Sequence, residues 1–271
     1  MINIGNNSYK LCCIDTNVLS EMVHNRNDEF KYFLQNFMPS KYVPCISSFT
    51  ILELNKADRA FEKFTNIFDI IPFCILKTPN DLYLEELSNY KSTNKINPIM
   101  MSITPPSLNG PSMINLIDWV NSDEGKAIDA KFETVKKNRL DEIIKLKENF
   151  PSKSESYTKK ETIEFVNKTI NENLMKLEPI FYKKIINSKQ ALDIHSFPSL
   201  KVQMYSIFYR FYDGKRTPSL NDIFDIMIMS STPYMEAVLT ENFQAEVFKK
   251  VKNKDDFLYN LEVLRLKDLR K

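Results

Sequence analysis

The sequence predicts an α/β fold: a mostly parallel sheet with helices on both faces, interrupted by a block of helix. Three observations carry this. Short β-rich apolar runs lie near both ends of the chain, and most lead directly into a polar stretch that opens a helix. Such alternation favours a parallel sheet, because each strand returns to the sheet through a crossover helix. Between the ends the periodicity is largely helical. The chain is therefore expected to divide into a first core part at 1–90, a helical insertion at 91–195 and a second core part at 196–271.

The bulk numbers fit a globular chain. Of its 271 residues, 43% are hydrophobic and 12% aromatic, ample for a core. A net charge of +2, from 37 basic and 35 acidic side chains, excludes a nucleic-acid binder working by gross charge but allows a local basic patch. No apolar stretch approaches the ~20 residues that span a bilayer, so no membrane partner is expected. Residues Met1 to Asn7 lack the charged start and apolar centre of a signal peptide. Cys12, Cys13, Cys45 and Cys74 fall in strand-like runs with no CxxC spacing. They read as buried free thiols in a reducing, cytoplasmic setting. With only four glycines and no GxGxxG or Walker pattern, a glycine-rich phosphate loop is not expected.

Taken in order, Leu11 to Ile14 is a buried strand ending at Asp15-Thr16-Asn17. Val18, Leu19, Met22 and Val23 then have helical spacing, which Phe30, Phe33, Leu34 and Phe37 repeat before Pro39 and Ser40 end the segment. Tyr42 to Ile46 is a strand, Ser47 and Ser48 are N-caps, and one helix follows through Phe64. Ile70 to Leu76 is β-rich, and Pro79 opens a helix to Tyr90. From Lys91 to Met113 the Asn, Ser and Pro content predicts loop. Helix is expected from Ile114 to about Phe150 and, after a connector at Pro151 to Ser156, from Lys160 to Gln190 with a break at Pro179. Tyr205, Phe208, Tyr209 and Tyr212 share a helical face that Asp213-Gly214 ends. Such a stripe reads as core first and as a stacking surface for unpaired bases second. Ser219 caps a helix at 221–231, Glu236 to Thr240 is a strand, 242–252 is helical, and Leu261 to Leu266 is a last strand.

Several acids occupy positions that structure alone does not demand. Asp15 ends a strand, Glu53 lies in the first turns of a helix, and Asp222 and Asp225 share a face of another helix. Glu241 and Asn242 follow a strand directly. In open α/β sheets ligands bind beyond the carboxyl ends of strands. Clustered carboxylates repel one another unless a cation neutralises them, and hard oxygen donors suit Mg²⁺ or Mn²⁺. Each acid also has an ordinary explanation: Asp15 as an N-cap, Asp222 as a partner of the helix dipole, Glu53 as a solvated side chain.

The order of these stretches resembles the PIN domain, a family of metal-dependent nucleases with a three-layer α/β/α core. Ile14-Asp15-Thr16-Asn17-Val18-Leu19 is similar to its first motif and Ile46-Ser47-Ser48-Phe49-Thr50-Ile51-Leu52-Glu53-Leu54 to its second. Asn221-Asp222-Ile223-Phe224-Asp225-Ile226 is similar to the third, and Ala237-Val238-Leu239-Thr240-Glu241-Asn242-Phe243 to the fourth. The likeness covers residues 9–90 and 196–271. It departs at the fourth motif, where an aspartate is usual, and in the central block, which compact members lack.

The resemblance implies a phosphodiesterase acting on RNA in preference to DNA, with Mg²⁺ or Mn²⁺ activating water and stabilising charge at the phosphorus centre. Asp15 and Asp225 become core metal ligands, with Glu53 and Asp222 binding directly or through water and Glu241 as an outer member. Thr16 and Asn17 orient Asp15 or the substrate, and Lys56, Arg59, Lys215, Arg216 and Asn242 contact it. The helical block is open to three roles: covering the site, selecting the substrate, or associating with another chain, with a second copy or an inhibitory or regulatory protein as the partners to consider. The competing reading from another class is a PIN-like module that keeps the fold but serves as an RNA-binding or scaffolding protein. A haloacid-dehalogenase-type phosphatase fits less well, since Asn17 stands where a second aspartate is normal. A receiver domain does not account for the late Asp222 and Asp225 pair.

Overall fold

The computed structural model describes residues 2–4, 7–24, 42–149 and 153–270. The helical repeat expected at Phe30 to Phe37, its end at Pro39 and Ser40, and the start of the connector at Pro151 and Ser152 lie outside the described residues.

Strands β1 (Ile2–Ile4), β2 (Asn7–Ile14), β3 (Tyr42–Ser47), β4 (Phe73–Leu76), β5 (Ile99–Ile103), β6 (Ala237–Thr240) and β7 (Glu262–Arg265) form the sheet. Its order is β5-β4-β3-β2-β6-β7, with β1 paired to β2. All pairs are parallel except β1 with β2 and β4 with β5. The α/β class with a mostly parallel sheet is therefore what the chain adopts. Leu11 to Ile14 of β2, all of β3 and all of β6 are buried runs without polar alternation, as strands covered on both faces must be. Cys13, Cys45 and Cys74 lie in register across β2, β3 and β4, and all four cysteines are free and buried.

Between the strands run α1 (Thr16–His24), α2 (Ser48–Asn55), α3 (Asp58–Phe68), α4 (Pro79–Ser88), α5 (Met113–Asn121), α6 (Asp123–Asn149), α7 (Lys159–Leu177) and α8 (Pro179–Asn187). Then come α9 (Pro198–Ile207), a π turn (Phe208–Asp213), α10 (Leu220–Ile228) and α11 (Asn242–Lys252). Three expectations change. The single helix to Phe64 is two, parted at Lys56 and Ala57, residues that carry no glycine or proline signal of a break. The stretch from 114 is also two helices, because Ser122 takes the N–H of Gly125 on its hydroxyl and gives that hydroxyl to the Trp119 carbonyl. The expected loop at Lys91 to Met113 contains β5, a short Ile-Met-Met-Ser-Ile run that the Asn-, Ser- and Pro-rich sequence around it obscured.

One hydrophobic cluster joins sheet residues such as Cys13, Ile46 and Leu239 to Trp119, Phe132 and Val166 of the helical block. Phe132 of α6 stacks on Phe49 of α2 at 4.0 Å and meets Phe224 of α10 edge-on at 5.5 Å. Tyr205, Phe208, Tyr209 and Tyr212 are all buried, and Phe165 of α7 packs on both Phe208 and Tyr212. That stripe is core.

The chain winds from β2 through β3 and β4 to one edge, and later through β6 and β7 to the other. The reversal falls between β2 and β6, which makes the crevice beyond their carboxyl ends the expected ligand position.

Candidate functional site

Asp15 stands at that reversal, immediately after β2, and is only 1% exposed. Its amide donates to the carbonyl of Leu239 on β6 at 3.0 Å. One carboxylate oxygen accepts the Asn17 amide at 3.2 Å, as an N-cap of α1 would. The other accepts the Thr240 hydroxyl at 2.5 Å. Cap and site member are thus the same residue, one oxygen for each. Burial pushes the Asp15 carboxyl above its ordinary value, against the bonds from Thr240 and Asn17 and the nearby Arg210 charge.

Ser219 opens α10 with a reciprocal cap. Its hydroxyl accepts the Asp222 amide at 3.3 Å, and Asp222 accepts both that hydroxyl, at 2.6 Å, and the Ser219 amide. The cap holds Asp222 at the head of the helix, where its other oxygen meets two guanidinium groups: Arg210 at 2.9 Å and Arg216 at 3.2 Å. One turn on, Asp225 lies 3.1 Å from Arg210. Its carboxyl is pushed up to about 7, chiefly by burial. Arg210 pulls it down, while the charges of Asp15 and Glu241 push it further up. Glu241, the residue that enters α11, is also raised, first by burial and then by Asp15. Asp15, Asp222, Asp225 and Glu241, drawn from both ends of the chain, therefore share one electrostatic neighbourhood.

Arg210 is at its centre. It sits in the π turn after α9, is 1% exposed, and donates to Asp222 and, at 2.6 Å, to the Gln244 side-chain carbonyl. Its guanidinium lies 5.3 Å from the Phe243 ring centroid, and that of Arg216 lies 4.7 Å from it. Gly214 allows the chain to turn back sharply here, since a Cβ at that position would come within 2.8 Å of the carbonyl oxygens of Tyr209 and Arg210.

The other expected site residues are placed differently. Glu53 accepts from Lys136 of α6 at 3.3 Å. Lys136 in turn lies over the rings of Phe132 and Phe224. Lys56 is bound to Asp129 and Glu133 of the same helix at 2.8 and 2.9 Å. Arg59 is exposed on α3. The Thr16 hydroxyl shares a 2.6 Å hydrogen bond with that of Thr50. Asn17, Lys215 and Asn242 are exposed near the acids in sequence, and Lys215 takes a left-handed backbone with φ 52°. Lys147, near the end of α6, donates to the Arg216 carbonyl at 2.7 Å, so the helical block reaches the site loop.

The donors are hard carboxylate oxygens, and burial together with mutual repulsion raises Asp225 and Glu241, a penalty that a divalent cation would relieve, so the chemistry of the set fits such an ion. Among the described residues, no three His, Cys, Asp or Glu side chains converge closely enough to enclose one as they stand. Arg210 already holds two of the carboxylates.

Arg210, Thr240, Gln244 and Lys136 do not emerge from sequence reasoning as site residues. The signal for Arg210 is a cation set between Tyr209 and Phe211 in an aromatic-rich stretch, which demands a buried partner. No family model, curated protein or solved structure matches the chain.

Proposed function

We propose that the chain is a divalent-metal-dependent nuclease with a PIN-like, three-layer core, hydrolysing phosphodiester bonds in RNA in preference to DNA. The observation that carries this reading is that Asp15, Asp222, Asp225 and Glu241 share one electrostatic neighbourhood beside the reversal point of the sheet. Asp15, Asp225 and Glu241 are the residues that would hold Mg²⁺ or Mn²⁺. The ion supplies an activated water and positive charge at the phosphorus centre. Thr240 and the Asn17 amide orient the Asp15 carboxylate, and Asp222, fixed by its cap and two arginines, positions Arg210 and Arg216. Arg216, Lys215 and Asn242 are the groups available to substrate phosphates. Glu53 and Lys56, tied to α6, would contribute only after those ion pairs open.

Asp15→Asn is expected to abolish Mn²⁺-dependent cleavage of single-stranded RNA while circular dichroism stays that of the parent. Undiminished cleavage by this variant would remove Asp15 from the mechanism.

One observation favours the second reading, a PIN-like RNA-binding or scaffolding module without turnover: the buried Arg210 neutralises Asp222 and Asp225 from within the chain. Incubating the protein with RNA or DNA in Mn²⁺ or EDTA separates the two. Cleavage that EDTA stops supports the nuclease, and binding without cleavage in Mn²⁺ supports the module.

A further inference from the structure

We propose that Arg210 is an internal counter-ion that stands in for the divalent cation, and that Asp225 must leave it before the ion is held. The inference rests on the metal-dependent reading and names the residue that regulates access to the site. Arg210 is fully enclosed and contacts Asp222, Asp225 and Gln244 at 2.9, 3.1 and 2.6 Å. A guanidinium in that position supplies positive charge where four carboxylates would otherwise repel one another.

The Arg210 Nε–H and the Gln244 Nε2–H are buried donors without an acceptor among the described residues. Buried donors left unmet in a native site mark a strained, catalytic or ligand-dependent arrangement. Arg210 also sits in a π turn, an insertion that recurs at functional sites. After releasing Asp225 it would keep Asp222, Gln244 and the face of Phe243, so the exchange need not expel it from the core. Asp222 would remain neutralised by Arg210 and Arg216 together, leaving Asp15, Asp225 and Glu241 for the ion.

The test compares the parent with Arg210→Met and Arg210→Lys by calorimetric titration with Mn²⁺ and by melting in Mn²⁺ and in EDTA. Arg210→Met is expected to melt below the parent in EDTA, because Asp222 and Asp225 lose their buried counter-charge. It is also expected to bind Mn²⁺ roughly tenfold more tightly, a size ordinary for two ligands coupled through one site. Its melting temperature should rise more on adding Mn²⁺ than that of the parent. Arg210→Lys, which keeps the charge but cannot bridge two carboxylates with a fork, should fall between them. If Arg210→Met does not fold, the Arg210→Lys comparison decides alone. Equal Mn²⁺ affinity in parent and variants overturns the role of Arg210 and leaves the metal-dependent reading standing. No Mn²⁺ binding by parent or variants overturns both.

Discussion

At the scale of the residue, two carboxyl groups hold their protons far longer than solvated acids do. Asp225 is raised to about 7 by burial and by its acidic neighbours. Glu86 of α4 is also raised to about 7, by burial that outweighs hydrogen bonds from Tyr234 and from the hydroxyl and amide of Ser199. Both groups bind more protons folded than unfolded between their unfolded and folded values. The stability they contribute is complete below about pH 4 and is lost as pH rises towards 7. Denaturation in EDTA should therefore show a higher urea midpoint at pH 5 than at pH 8. Glu86→Gln, which is neutral throughout, should show a smaller fall. A midpoint that rises over this interval would contradict the burial of both acids. Mn²⁺ should recover stability at pH 8 through Asp225, where a cation replaces the proton, and not through Glu86.

At the scale of the element, the start of α10 does two tasks. The Ser219 and Asp222 cap satisfies free amides at the head of the helix and also aims Asp222 at the arginines. Ser219→Ala should cost about 1 kcal/mol of stability by urea unfolding, the ordinary value of a lost N-cap. It should also loosen Asp222, so any cleavage should fall alongside the stability. Unchanged stability would mean that the cap is replaced by solvent. The neighbouring α6 acts differently. Its Asp129, Glu133 and Lys136 engage Lys56 and Glu53 of the α2 region, and Lys147 reaches the loop at Arg216. The helix that the sequence set apart as an insertion is thus in contact with residues expected to serve substrate and metal.

At the scale of the whole molecule, the single tryptophan provides a probe of the helical block. Trp119 is buried in the same hydrophobic cluster as the central strands. Its fluorescence and the far-ultraviolet circular dichroism should lose their native signals in one coincident urea transition. Separate midpoints would show that the block at 91–195 unfolds apart from the sheet.

The residues themselves made much of this legible. Apolar runs specified the inner half of β2 at Leu11 to Ile14, β3 and β6, because strand segments buried on both faces leave no room for polar alternation. Ser47 and Ser219 marked the heads of α2 and α10, since a hydroxyl can meet the free amides there. Acids directly after strands marked the crevice. Tertiary structure decided the rest. Strand β5, a short apolar run in a polar and proline-rich stretch, is fixed by its antiparallel pairing with β4. Glu53 and Lys56 were assigned to chemistry by position, yet their partners lie far along the chain on α6, where no local pattern announces them. Arg210 was hidden for a related reason. In sequence it interrupts a stripe of aromatics, and Asp222, Asp225 and Gln244 come within hydrogen-bonding reach only when α10 and α11 fold back against the π turn. Local sequence determines which backbone a segment favours and where an acid falls along it. The charge state of that acid depends on burial and on neighbours remote in the chain, and these exist only in the folded molecule.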